Sequence, residues 1–203
     1  MKILAMELSS SQGSIAWRET DGESFATAFA NDRKHSGLFF ENLGTCLKRF
    51  GQPDRLVIGL GPGSYAGTRI ALATAAGLAA ASGAELAGLP SFCAMETESG
   101  DYAVIGDARR QSFYFAEVRE RHCVEGPILC SAQELVGRVR DLRFPVFSTE
   151  RLAQFPAAQL CYPSALLLID LPMEIATHPL EPIYLRTPHI TYPKSRPPLP
   201  ATP

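Results

Sequence analysis

The sequence of 203 residues predicts an α/β fold in which helices flank a mixed sheet. The chain opens with three short segments separated by tight turns, at 2–7, 13–19 and 24–30, a pattern typical of an antiparallel meander. Helical and buried-strand patterns then alternate, as they do where helices connect parallel strands. Together the two observations predict a sheet that is antiparallel at one edge and parallel at the other.

The first helix is predicted over 36–50. Its apolar residues share one broad stripe, which fits burial on more than one side or a deep position in the chain's own core: Phe39, Leu43, Cys46, Leu47 and Phe50. The run "DRLVIGLG" predicts a strand buried on both faces. A second helix is predicted over 64–82, and "AELAGLP" predicts the strand after it.

The later part of the chain has weaker patterns. Strands are predicted at 102–107 and 112–119, with a turn at "ARRQ" between them. The segment "SAQELVGRVRDL" predicts a helix capped by Ser131, while "FPVFST" and "ALLLID" are short strand candidates. We find no internal repeat in the sequence.

This order of elements matches the ribonuclease-H-like unit that actin, Hsp70 and sugar kinases share, because a doubly wound sheet would place a helix between its opening strands. We expect one full lobe over 1–105 and a reduced second lobe over 106–186. Residues 187–203 include six prolines and predict an extended or disordered tail.

Composition bounds the function. The net charge is −2, without a block of Lys or Arg, so the chain alone is not expected to grip nucleic acid. The five cysteines form no C-x-x-C pair, which predicts reduced thiols in a cytoplasmic protein. We identify neither a signal peptide nor an apolar run long enough to cross a membrane.

The stretch "GLGPGSYAGTR" lies where a phosphate-binding loop would lie, between a strand and a helix. It fails the P-loop template, since Pro62 takes the place of the first glycine and no lysine follows Gly67. It also fails the nucleophile-elbow template around Ser64. Gly61, Gly63 and Ala66 fit a dinucleotide pattern in their letters, but Glu85 opens its strand and would lie at the wrong edge of the sheet to hold a ribose.

Two interpretations of this loop stay open. Ser64 and Arg69 are placed to contact an anion at the start of the helix. Equally, Ser64 caps the helix and the turn holds no ligand.

Small residues recur every four positions along the second helix and form a ridge: Gly67, Ala71, Ala75, Ala79 and Gly83. Such a ridge allows another helix to pack closely. The neighbour is either the helix over 36–50 or a helix of a second protein.

The sequence contains few candidate catalytic residues. None of the four histidines is spaced for a helical zinc pair, and no Cys/His cluster has metal-ligand spacing. Glu7 ends the first strand, where related folds often carry an Asp, but a lone carboxylate does not supply two-metal chemistry. Asp107, Arg109 and Arg110 form either an anion or partner site or a solvated turn. We therefore predict no catalytic residue, no metal site and no cofactor.

Several segments resemble the TsaB (YeaZ) family. "GPGSYAGTRIALATAAGLA" is similar to its glycine signature, close to GPGSFTGLRIG followed by an alanine-rich helix. "MKILAMELSS", "RKHSGLFF", "VIGDARRQSFY" and "LEPIYLR" resemble its other segments in the same order, over residues 1–186. The chain differs in having Glu7-Leu8-Ser9 for the usual D-T-S, and Tyr65-Ala66 for Phe-Thr.

The resemblance implies a non-catalytic, dimerising subunit with an actin/Hsp70-like fold. Its partner would be a TsaD-type catalytic subunit, with a TsaE-type ATPase, in the complex that adds a threonylcarbamoyl group to adenosine beside the tRNA anticodon. The chain could also homodimerise when alone, and it would meet tRNA only through the complex. The implied interface, on helices 36–50 and 64–82, comprises Phe39, Leu43, Leu47, Tyr65, Gly67, Arg69, Ile70, Ala71, Ala75 and Ala79.

An alternative function is a small ATP-dependent phosphotransferase of the actin-like kinase group. It would use Glu7 and the turn over 9–13 to hold phosphate. A dinucleotide-dependent oxidoreductase is a third, weaker alternative.

Overall fold

The structure is a computed structural model that describes residues 1–31 and 36–186. The predicted tail over 187–203 lies outside the described residues. Five strands form the first sheet: β1 (Ile3–Glu7), β2 (Gln12–Arg18), β3 (Ser24–Ala30), β4 (Arg55–Gly59) and β5 (Glu85–Leu89). Their order is β3-β2-β1-β4-β5, with antiparallel β1–β2 and β2–β3 pairs and parallel β1–β4 and β4–β5 pairs. The predicted mixed sheet is therefore confirmed.

Two helices cover one face of this sheet. Helix α1 (Ser36–Phe50) packs on β2 and β3, and helix α2 (Tyr65–Ser82) packs on β1, β4 and β5. The predicted cap of α2 is present, because the Ser64 hydroxyl accepts a hydrogen bond from the Gly67 N–H at 3.2 Å. Gly83 ends α2 in the left-handed region, with φ of 76°, and its N–H bonds the Ala79 carbonyl.

The second half of the chain forms another sheet from β6 (Tyr102–Asp107), β7 (Ser112–Arg119), β8 (His122–Ser131), β9 (Val146–Ser148) and β10 (Gln159–Leu160). Its order, β8-β7-β6-β9-β10, and its pattern of antiparallel and parallel pairs repeat those of the first sheet. The topology is thus duplicated although the sequence shows no repeat. A lobe boundary between 105 and 106 stays a prediction; the second sheet itself begins at Tyr102.

Helix α3 (Ala132–Arg140) confirms the helix predicted after Ser131. Its capping box is complete: the Ser131 hydroxyl accepts from the Glu134 N–H, and the Glu134 carboxylate accepts from the Ser131 N–H.

The strand predicted for "ALLLID" is wrong, since these residues form helix α4 (Ala165–Asp170). A run of six apolar and acidic residues has no clear period, and leucine favours a helix. Ala165, Leu168 and Ile169 are buried between the two sheets. Strand β8 was not predicted, because most of its residues are exposed and Gly126-Pro127 interrupts its pattern.

Two apolar cores hold the first sheet. One lies under α1 and α2 and includes Phe39, Leu43 and Ala75. The other joins residues of both sheets, such as Ala5, Val104 and Phe147, around α4. The two sheets are therefore packed against each other through a shared core.

Candidate helix-pair docking face and interlobe cleft

The side chains predicted to contact a partner divide between the core and the surface. Five of them are buried in the chain's own core: Phe39, Leu43, Gly67, Ala71 and Ala75. A direct contact of these residues with a partner stays a prediction. Ala71 and Ala75 of the small-residue ridge are buried with residues of β1 and β4, so these two alanines allow α2 to lie close to its own sheet.

The other predicted interface residues remain accessible. Tyr65 and Arg69 are exposed in the first turns of α2, while Leu47, Ile70 and Ala79 are half-buried. Tyr65 and Arg69 interact directly: the guanidinium carbon lies 5.1 Å from the ring centroid, and the guanidinium donates a hydrogen bond to the tyrosine hydroxyl.

The outward face of α2 was missed by the sequence reasoning. It carries a second set of small residues, and all of them are exposed: Ala66, Ala73, Ala76, Gly77 and Ala80. Arg69 is the single charged residue of this 18-residue helix. Alanine along both stripes was the signal that could have revealed this face, since a solvent-facing stripe usually carries charges.

Helix α1 adds a large apolar group to the same side of the sheet. Phe40 is 52% exposed, whereas the preceding Phe39 is buried. The two rings meet edge to face, with their centroids 4.9 Å apart. A Cβ added at Gly44 of α1 or at Gly77 of α2 would meet no heavy atom within 4 Å. We call the exposed side of the two helices the helix-pair face; it is defined by Phe40, Gly44, Ala66, Ala73, Ala76, Gly77 and Ala80.

The glycines of the loop between β4 and α2 contact other parts of the chain. A Cβ on Gly63 would lie 2.1 Å from the Ser9 carbonyl oxygen, and a Cβ on Gly67 would lie 2.1 Å from the Leu8 carbonyl oxygen. The Ser64 N–H donates to that Ser9 carbonyl at 2.6 Å. Because these positions lack a side chain, the backbone of the turn after β1 can approach the loop closely. This close contact supports the interpretation of a capped turn rather than that of a phosphate-binding loop.

Glu7 lies beneath this loop and is fully buried. Its Oε1 accepts a hydrogen bond from the Ser9 N–H at 2.6 Å, and among the described residues its Oε2 has no hydrogen-bond partner. A Cβ on Gly59 would lie only 1.7 Å from Oε2, so the carboxyl occupies the space that this glycine leaves. Burial raises the pKa of Glu7, and the polar groups of the neighbouring Ser9 and Ser91 offset that rise in part.

A cleft of about 700 Å³ separates the ends of the two sheets. Hydroxyl groups of the turn over 9–11 line one wall, and Asp107, Arg109 and Glu150 line the other. Among the described residues, no group of three or more His, Cys, Asp and Glu side chains is placed to hold a metal ion.

The turn between β6 and β7 is unusual. Arg109, Arg110 and Gln111 all have positive φ, between 54° and 65°, which costs backbone energy at each residue. Asp107 holds the turn by accepting hydrogen bonds from the Arg109 N–H at 2.6 Å and from its guanidinium at 2.9 Å. Arg109 and Arg110 are exposed at its tip. The structure thus contains both the predicted turn and its exposed cations.

The segment over 182–186 lines part of the cleft. The Ile183 N–H donates to the Leu60 carbonyl at 2.8 Å, and the Arg186 guanidinium donates to the Ser112 hydroxyl at 2.7 Å. The segment therefore connects the strand end before the glycine loop with the second sheet.

Comparison with known proteins agrees with this architecture. Residues 33–168 match the family described as TsaD, tRNA N6-adenosine threonylcarbamoyltransferase. The chain belongs to this family. The resemblance to its TsaB (YeaZ) relatives, inferred from the glycine signature, is confirmed.

Two solved structures from Pseudomonas aeruginosa have the same fold as this TsaD-family chain. One, a protein with similarity to peptidase YeaZ, superposes with a TM-score of 0.69 at 20% identity and covers 91% of this chain and 99% of that one. The other, YeaZ, has a TM-score of 0.65 at 20% identity and covers 83% and 88%. The predicted ribonuclease-H-like fold class is confirmed.

A curated sequence relative is the uncharacterized protein ML0378 of Mycobacterium leprae. It is 33% identical over 141 residues, which cover 66% of this chain and 38% of that protein. The chain thus spans well under half of this relative. No helix within 1–31 and 36–186 combines the length and the apolar character required to cross a bilayer.

Proposed function

We propose that the chain is a non-catalytic scaffold subunit that supports threonylcarbamoylation of the adenosine adjacent to the tRNA anticodon. A TsaD-type partner would perform the reaction. The observation that carries this proposal is the helix-pair face of a TsaD-family chain. On this face, α2 exposes small residues to solvent, and the whole helix carries a single charged residue.

The physical basis is close helix packing. Side chains no larger than a methyl group let two helix axes approach at the short end of the usual 8–10 Å range, so the contact is flat and dry. The methyl group of an exposed alanine forms no hydrogen bond with water, so its burial is favourable. Alanine also has no side-chain rotamers whose entropy would be lost on binding. Phe40 on α1 supplies an aromatic anchor of the kind that dominates interface energetics.

The mechanism would be stabilisation. Helices α1 and α2 would complete a helical bundle with the partner and favour the conformation of the partner that is competent for catalysis. Within the complex a TsaE-type ATPase would also act, and tRNA would contact this chain only through the assembly. The five free cysteines, four of them buried, favour a cytoplasmic location.

The glycine loop supports a scaffold rather than a phosphotransferase. Its glycines pack on the Leu8 and Ser9 carbonyls, and the Glu7 carboxyl is enclosed against Gly59. An ATP-dependent phosphotransferase would need the Glu7 carboxylate directed to the cleft, whereas this carboxyl is fully buried. Isothermal calorimetry of the chain with Mg²⁺ and ATP tests this alternative: we expect no binding heat, and saturable binding would favour the phosphotransferase.

The test of docking is a matched pair of helix variants, Gly77→Arg on α2 and Gly137→Arg on α3. Both glycines are exposed helical residues at which an added Cβ meets nothing within 4 Å, so neither change should disturb the fold. We expect Gly77→Arg to abolish co-purification with the cognate TsaD-type subunit and Gly137→Arg to retain it. Equal retention by both folded variants would refute the helix-pair face as the docking surface.

The same pair tests homodimerisation. Analytical ultracentrifugation of the chain alone should give a monomer for Gly77→Arg if a second copy uses the same face. Deletion of the gene should lower threonylcarbamoyladenosine in tRNA, measured by nucleoside mass spectrometry. Unchanged modification after deletion would refute the proposed function.

A further inference from the structure

We propose that Tyr184, in the segment over 182–186, extends the docking surface beyond the helix pair together with Tyr65 and Arg69. This inference rests on the proposed function, because it concerns the same partner. It assigns a binding role to a segment that otherwise serves as a tie between the two sheets.

Contacts of its neighbours along the chain place Tyr184 beside the start of α2. Ile183, immediately before it, donates its N–H to the carbonyl of Leu60, which directly precedes the glycine loop. Two residues further on, Arg186 is bonded to Ser112 of β7. Tyr184 is held between these two attachments, so its ring has a defined place beside the first turn of α2.

Tyr184, Tyr65 and Arg69 form a cluster in which the two tyrosine rings are tilted against each other. The two tyrosine rings have centroids 5.7 Å apart and an interplanar angle of 38°. Arg69 lies over the ring of Tyr65 with its guanidinium carbon 5.1 Å from the centroid. Despite these contacts, Tyr65 is 51% exposed and Tyr184 is 41% exposed. A large aromatic area is therefore ordered before binding yet remains open to solvent.

This composition fits the centre of a protein interface. Tyrosine and arginine are the residue types most enriched among binding hot spots, since each offers wide apolar contact together with a polar tip. The cluster is continuous with the helix-pair face, because the exposed Arg69 and Ala73 are four residues apart and are therefore neighbours on the surface of α2. Contact between the two rings before binding lowers the side-chain entropy that would be lost on docking.

Charge indicates what the partner presents there. Arg69 is the single charged residue of α2, and its planar guanidinium suits bidentate hydrogen bonds to a carboxylate. We therefore infer that the TsaD-type subunit places an Asp or Glu against Arg69, with an apolar side chain beside it on the tyrosine rings.

Site-specific photo-crosslinking tests the inference in the full chain. A benzoyl-phenylalanine is placed at position 184, at 40 on the helix-pair face, where it replaces an exposed phenylalanine, or at 160 as an exposed control on β10. Each protein is mixed with the purified cognate TsaD-type subunit. We expect crosslinks from 184 and 40 but not from 160. A crosslink from 40 alone would overturn the role of Tyr184 and leave the proposed function standing. No crosslink from either would overturn both, and one from 184 alone would support Tyr184 while refuting the helix face.

Affinity measurements provide a second readout. We expect Tyr184→Ala to weaken binding by about tenfold and Tyr184→Phe to change it by less than about twofold, because the ring makes the contact. Arg69→Glu should weaken binding by more than Arg69→Ala, since it places like charges together. Far-UV circular dichroism and thermal melting confirm that each variant is folded. Unaltered affinity in a folded Tyr184→Ala protein would contradict the inference.

Discussion

Glu7, the last residue of β1, carries a fully buried carboxyl. A buried carboxyl that is ionised without a charged partner costs several kcal/mol, so its environment favours the protonated form. Burial raises the pKa of Glu7 above its ordinary value of 4.5. The native state then holds a proton that the unfolded chain releases, and stability falls as the pH rises from about 4.5 towards the folded-state pKa.

Replacing Glu7 with Gln should remove this dependence. We expect Glu7→Gln to be more stable than the wild type near pH 7, with a difference that shrinks as the pH falls towards 4.5. For each pH unit between the pKa of the unfolded state and that of the folded state, the free energy of unfolding of the wild type falls by about 1.4 kcal/mol. Urea denaturation between pH 4 and pH 8 measures the effect. The exposed Glu98→Gln serves as the control and should change stability by less than about 0.5 kcal/mol. A Glu7→Gln protein that is equally destabilised at every pH would contradict this account.

At the scale of the element, helix α2 uses its two small-residue stripes differently. The inward stripe, with Gly67 and Ala71, packs on the sheet, whereas the outward stripe, with Ala73 and Gly77, remains open. Glycine is required at Gly67 by the Leu8 carbonyl, but nothing in the folded chain requires it at Gly77.

Alanine substitution at these two glycines should therefore have opposite effects. We expect Gly67→Ala to destabilise the protein by about 1–3 kcal/mol, because its Cβ would lie 2.1 Å from the Leu8 carbonyl oxygen. Gly77→Ala should stabilise it by about 0.5–1 kcal/mol through helix propensity. Urea denaturation of the two variants measures both. Destabilisation by Gly77→Ala would mean that a neighbour within the chain occupies the outward stripe.

At the scale of the whole molecule, helix α4 couples the two sheets. Leu168 is fully buried in a core that contains residues of both, and the Ala165 N–H donates to the Ser14 hydroxyl of β2 at 2.9 Å. A core shared in this way favours cooperative unfolding of the two halves.

We expect Leu168→Ala to cost about 2–5 kcal/mol and to lower the protection of β1 and β6 together. Hydrogen exchange monitored by mass spectrometry distinguishes the sheets within one experiment. As a control, Leu160→Ala at an exposed position on β10 should leave the hydrogen-exchange protection of β1 and of β6 unchanged. Loss of protection confined to one sheet would show that the halves unfold independently.

The sequence by itself determined the first sheet, its two helices and the cap at Ser64, because these elements carry local signals of period, turn and cap. It also determined the family, through the glycine signature. It failed for α4 and β8, where a short apolar run and an exposed strand have no decisive period.

Only the tertiary structure decided which stripe of α2 is free. Both stripes carry small residues, so sequence spacing cannot tell which one the sheet covers. The glycine loop was decided in the same way, because its glycines are compatible with a phosphate or with a neighbouring backbone. The Leu8 and Ser9 carbonyls, distant in sequence from Gly63 and Gly67, fill the space that a side chain at either glycine would need. Contacts between segments remote in the chain carry no local signature, and here they determine which surface remains for a partner.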